Sequence, residues 1–123
     1  MALTTVPVGT DTTTLARALV TERLAACVSV LPAMTSVYRW EGRVEEEQEH
    51  QIVIKTTEDR VPALTERVHA LHPNAVPEWL VLRAADGSDE YLSWVHDSVT
   101  AGDETSSEQP QDDEPADQKG EKQ

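Results

Sequence analysis

The chain has 123 residues and a formal net charge of −13, from 23 acidic against 10 basic side chains. That length admits one domain with a modest core, and that charge disfavours direct binding to nucleic acid or to an anionic membrane. No stretch approaches the roughly 20 apolar residues of a membrane span, the first residues lack a basic-then-apolar leader pattern, and a lone cysteine, Cys27, suits a reducing cytoplasm.

The charge is unevenly placed. Residues 102–123 hold eight acids, two lysines and no aromatic or large aliphatic side chain. Such a segment cannot bury enough apolar surface to offset its ordering entropy, so a disordered acidic tail is expected to follow a folded domain over residues 1–101. The domain itself carries fifteen acids against eight bases, and Lys55 is its single lysine. Acid excess with lysine depletion is the expectation for a halophilic protein, whose self-repulsion is screened by salt.

Taken in chain order, Ala2–Pro7 is a short β-prone run closed by Pro7 and Gly9. Asp11 or a following threonine caps a first helix over about residues 12–24, where Leu15, Ala16, Leu19, Val20 and Leu24 recur at helical spacing. "AACVSVL" alternates and is β-branched, so a strand starts near Ala25; Pro32 bends or bulges it before "TSVYRW" resumes. Glu41-Gly42 is a tight-turn signal, and the chain returns as a long strand over residues 44–57. Thr57 or Asp59 caps a second helix on which Val61, Leu64, Val68 and Leu71 step by three and four, and His72-Pro73 stops it. "EWLVLRA", residues 78–84, reads as a fourth strand, and Asp86-Gly87 turns into a third helix capped by Ser88. Tyr91, Leu92, Trp94, Val95 and Val99 are expected to face inward from it. The order is βαββαβ plus one helix, an α+β ferredoxin-like sandwich with an extra C-terminal helix and a long hairpin joining the second and third strands.

That hairpin demands a partner. Residues 44–57 span roughly 46 Å when extended at about 3.3 Å per residue, far beyond an ordinary strand, and an isolated two-stranded ribbon is marginal in water. Its tip bears Tyr38 and Trp40 with little nearby to cover them. Pairing with another subunit removes both difficulties, so a homo-oligomer is expected. Along the strand Val44, Glu46, Gln48, His50, Ile52 and Ile54 share one face, and Glu45, Glu47, Glu49, Gln51, Val53 and Lys55 the other.

"ERLAACVSVLP", "SVYRWEGRVE", "IVIKTTED", "HPNAVPEWLVL" and "DEYLSWV" resemble, in order and spacing, the CutA family of divalent-cation tolerance proteins. The resemblance runs from about Ala2 to Val99. It implies a ferredoxin-like subunit in a tight homotrimer held by inter-subunit strand pairing, with a cytoplasmic, non-enzymatic role linked to copper and other divalent metals. Bacterial members are proposed to bind copper through a first-strand cysteine and two histidines before the "HP" proline. Here Thr4 and Leu71 stand at two of those positions, and only His72 remains.

Candidate chemistry is sparse. His69 and His72, at i and i+3, are the strongest metal pair, against which stands a plain helix-terminus role for His72. Glu78, at the family's "PE" position, either adds a carboxylate to that metal or fixes its own loop. Glu45, Glu47 and Glu49 repeat about 7 Å apart, too far for one ion without other ligands, and read as a solvated face. Cys27 reads as a buried, inert thiol. Lys55 matches the family's "KT" and is placed to hold an anion or Glu78 in an inter-subunit cleft that Trp40, Tyr91 and Trp94 would help line. No nucleophile–base arrangement or glycine-rich phosphate loop is present, so no enzymatic activity is expected. The competing function is a PII-like signalling module binding a nucleotide or small anion in the inter-subunit clefts. "WEGR" is a short turn where such sensors carry a long ligand loop, which favours the metal-response reading.

Overall fold

The structure, a computed structural model, describes residues 1–100; the expected acidic tail lies outside the described residues. Strand β1 (Ala2–Pro7) leads through a turn at Gly9 to helix α1 (Thr12–Thr21). Asp11 caps α1, its carboxylate accepting from the Thr14 amide at 3.1 Å and the Thr14 hydroxyl at 2.7 Å. The helix ends three residues before the expected Leu24. Arg23 takes a left-handed φ of 61°, and the amides of Leu24 and Ala25 fold back onto the Leu19 carbonyl.

Strands β2 (Cys27–Val30) and β3 (Met34–Trp40) are two pieces of one path broken around Pro32. Both pair antiparallel with β4 (Arg43–Lys55), thirteen residues long. The β3–β4 turn places Glu41 at φ 51° and Gly42 at φ 79°, the two successive positive values of a type I′ hairpin. A 3-10 turn, Glu58–Arg60, then precedes helix α2 (Val61–Leu71). Thr57 therefore caps that turn, and α2 itself starts on Arg60 without a side-chain cap, its first turn set by Pro62.

Strand β5 is only Leu80–Val81, shorter than the expected residues 78–84. It pairs with Ala2 and Leu3, and Met1 and Leu82 exchange the last ladder bonds, so β1 offers nothing further on that side. Before Leu80 the chain is drawn to α2, where the Trp79 indole donates to Thr65 Oγ1 at 3.0 Å. Helix α3 (Asp89–Val99) starts on Ser88, as expected.

The sheet order is β2-β4-β1-β5 with β3 on β4, the ferredoxin-like arrangement. Leu15 and Leu19 of α1 and Leu64 and Val68 of α2 close over Ala2, Val6, Ile52 and Ile54 on one sheet face. Helix α3 reaches the body through a separate cluster in which Val95 and Val99 meet Ala26. Its other expected inward residues do not bury: Tyr91, Leu92 and Trp94 stay exposed, because α3 rests on the body along the Val95–Val99 edge alone.

Beyond Glu49 the ribbon is two-stranded. β1 reaches β4 only as far as Glu49, and β2 pairs only from Ile52 to Lys55, so among the described residues β3 is the sole strand neighbour of residues 44–48. Val37 and Val44, opposite in parity to the acidic row, are 65% and 67% exposed.

Candidate functional site

The face of the sheet opposite α1 and α2 carries Thr5 and Gln51 and, outward along β4, Glu49, Glu47 and Glu45. Register sets Ser36 against Glu47 and Tyr38 against Glu45 on that face. The loop of residues 73–78 rises beside it and encloses an open groove of about 870 Å³. Tyr38, Trp40 and the three glutamates form the hairpin wall; Pro73, Asn74 and Val76 form the loop wall, and Glu78 closes the base. Partial desolvation first, and then the Glu47 carboxylate with Glu45 and Glu49 behind it, push the Tyr38 phenol above its ordinary value.

Two side chains tie the loop to β1. His72, buried, holds the Thr5 carbonyl through Nε2 at 2.7 Å, and its Nδ1 accepts the Asn74 amide at 3.0 Å. Gln51 Nε2 donates to the Thr4 carbonyl at 2.8 Å and to Glu78 Oε2 at 3.0 Å. Gln51 escaped the candidates drawn from the sequence, although its parity with Glu45, Glu47 and Glu49 was the signal for it.

The remaining candidates lie apart. His69 donates from Nδ1 to the Thr65 carbonyl at 2.8 Å, since a carbonyl only accepts, so Nδ1 bears a proton. Its ring meets Trp79 edge-on at 6.0 Å. Cys27 and Lys55 are direct cross-strand neighbours at the inner end of β4, and the Cys27 thiol lies 3.8 Å from the Ser29 hydroxyl. Cys27 is half-buried, more open than a core thiol. Trp40 pairs with Arg43 at the opposite end of that strand, roughly 40 Å away at about 3.3 Å per residue, so within one subunit it shares no cleft with Lys55. Tyr91 and Trp94 stack at 5.6 Å on the exposed side of α3.

A copper site of the kind the resemblance implies does not fit these residues. Thr4 is fully buried toward the helices with its hydroxyl unpaired, Leu71 offers no donor atom, and both ring nitrogens of His72 are already engaged. Among the described residues no three His, Cys, Asp or Glu side chains gather closely enough to hold one ion, and no helix is long and apolar enough to cross a membrane.

Comparison with known proteins places the fold and sequence together. The profile described as CutA1 divalent ion tolerance protein matches residues 1–98. The divalent-cation tolerance protein CutA of Thermus thermophilus is 50% identical over 99 residues, covering 80% of this chain and 96% of its own. Mouse protein CutA is 49% identical over 82 residues, and the match spans 46% of that longer chain. Among solved structures, the Thermus thermophilus divalent cation tolerance protein superposes with a TM-score of 0.77 at 49% identity, covering 80% of this chain and 96% of that one. A structure titled PII-like protein CutA from Nostoc, in apo form, superposes with a TM-score of 0.74 at 31% identity, covering 80% of this chain and 95% of that one. The sequence blocks, the strand order and these likenesses agree: the chain belongs to the CutA1 divalent ion tolerance protein family.

Proposed function

We propose that this chain works in the cytoplasm as a non-catalytic homotrimer that responds to divalent cations, copper among them, by binding them weakly. The observation that carries the assembly is the ribbon: a two-stranded extension with exposed Val37, Val44 and Trp40 is marginal alone and needs a neighbouring subunit. The link to divalent cations is supported by the family and by the names of its relatives. Glu78 and His69 are the ligand candidates that retain a free donor atom. The carboxylate of Glu78 has a second oxygen beyond the one held by Gln51, and His69 keeps Nε2 free while Nδ1–H binds a carbonyl, the usual support for a ligating imidazole. Among the described residues neither completes a site within one subunit, and on this reading a partner subunit supplies the remaining ligands.

A second reading, a PII-like module holding a nucleotide or small anion in the inter-subunit clefts, draws support from the PII-like title of the Nostoc structure. Lys55 beside Cys27, with Tyr91 and Trp94 on α3, would face such clefts. The two-residue turn at Glu41-Gly42 favours the first reading, since no long ligand loop occupies that place. Light scattering on the full chain, with calorimetric titration by copper(II) and by ATP, separates them. A trimer mass with saturable heat from copper is the expected result; a monomer mass refutes the assembly, and heat from ATP alone favours the second reading.

A further inference from the structure

We infer that His72 is a positioning residue for Glu78 rather than a metal ligand: a neutral imidazole, protonated at Nε2, that props the loop of residues 73–78 against β1. The assignment rests on the Proposed function only in treating Glu78 as the group to be positioned. The tautomer follows from the partners. A carbonyl oxygen has no proton to give, so the 2.7 Å contact with Thr5 makes Nε2 the donor; a backbone amide has no lone pair to offer, so the 3.0 Å contact from Asn74 makes Nδ1 the acceptor.

Only one state of the ring satisfies both contacts. A metal at Nδ1 would displace the Asn74 amide, and a metal at Nε2 would strip the Thr5 carbonyl of this bond in a buried place. A second proton on the ring would set two N–H groups face to face at Asn74. Pro73 lies between the two bonded residues, and its fixed φ helps bring the Asn74 amide back over the imidazole. The far end of the loop is held by Gln51, which grips Thr4, the residue next to Thr5, and Glu78 together. Two adjacent carbonyls of β1 thus anchor both ends of the loop, and Glu78 takes its place in the groove from that pair of anchors.

The test is long-range nitrogen–proton NMR on the full, nitrogen-15-labelled chain, before and after zinc(II) is added as a diamagnetic probe. The expected spectrum shows His72 with a protonated Nε2 and an unprotonated Nδ1, neither shifted by zinc. The reverse tautomer, a doubly protonated ring, or a zinc-induced shift of either nitrogen would overturn the assignment. His72→Phe keeps the ring volume and removes both bonds; the Gln51 side-chain amide is then expected to exchange with solvent at least about tenfold faster, as a loosened anchor allows. His72→Gln, which restores a donor and an acceptor, recovers part of that protection. Unchanged Gln51 exchange in His72→Phe also overturns the proposal. If zinc binds nowhere, the metal reading of the family role fails, while the tautomer and the Gln51 exchange still decide this one.

Discussion

Gln51 Nε2 stands 3.0 Å from Glu78 Oε2, and the same nitrogen reaches the Thr4 carbonyl at 2.8 Å. One amide therefore fixes the carboxylate at the base of the groove to the central strand of the sheet. Gln51→Leu removes both bonds and leaves a partly buried acceptor without its donor, so urea unfolding at fixed protein concentration should show a loss of about 1–2 kcal/mol. Gln51→Glu should be worse, because it replaces the donor by a second carboxylate facing Glu78.

The hairpin tip provides a test of backbone geometry alone. Gly42 has a φ of 79° with open space where a side chain would stand. Gly42→Ala meets no steric neighbour, and its cost is the left-handed backbone itself, about 1 kcal/mol. Equilibrium unfolding measures it, with Gly42→Asn the milder control because asparagine tolerates that conformation.

Val44 projects from the ribbon with parity opposite to the acidic row and lies outside the groove lining, and Val37, cross-strand beside it, borders the groove edge. In a lone subunit Val44→Asp should change stability by less than about 0.5 kcal/mol, since it alters an exposed site. In an assembly sealed by this ribbon it places a charge in an apolar contact, and light scattering should show dissociation at concentrations where the parent chain stays intact. An unaltered mass would remove the ribbon from the interface.

Two carboxylates predict the acid limb of stability. Hydrogen bonds from Thr14 hold Asp11 below the usual carboxylate range, and the paired hydrogen bonds from Arg67, at 2.9 Å each, do the same for Glu22. A group whose folded value is depressed contributes stability that is complete above its unfolded value, about 4, and is lost as pH falls through the folded one. Stability should therefore drop below about pH 4, with a shallower slope in Asp11→Asn and Glu22→Gln. Thermal melts across that range in low and high salt give the comparison, and the Glu22–Arg67 contribution should shrink in high salt because both groups are exposed.

Much of the fold was legible because the residues that set it act locally. Glu41-Gly42 signalled a tight turn between strands, Pro32 a bend or bulge in the strand path, and Ser88 the cap of a helix. The misjudged boundaries turn on long-range geometry. The fourth strand shrinks to Leu80–Val81 because β1 begins at Ala2 and Trp79 is claimed by Thr65. The aromatic side of α3 points outward because only Val95 and Val99 find Ala26, a contact between distant segments. At the site, residue identity marked Glu78 and His72, but their roles depend on Thr4, Thr5 and Gln51, which spacing along the chain does not connect to them.

Strand β4 carries Ile52 and Ile54 into the core and Glu45, Glu47 and Glu49 into the groove on one unbroken run. A strand turns each successive side chain to the opposite face, so both halves share a single phase. Inserting or deleting one residue between positions 46 and 51 could not be absorbed as a loop insertion is. It would either point glutamates at the helices or turn the isoleucines out to solvent. The length of this stretch is thus set by its phase, and extra residues keep that phase at the hairpin tip, by even steps, beyond the ends of the sheet, or where a bulge takes up the odd residue.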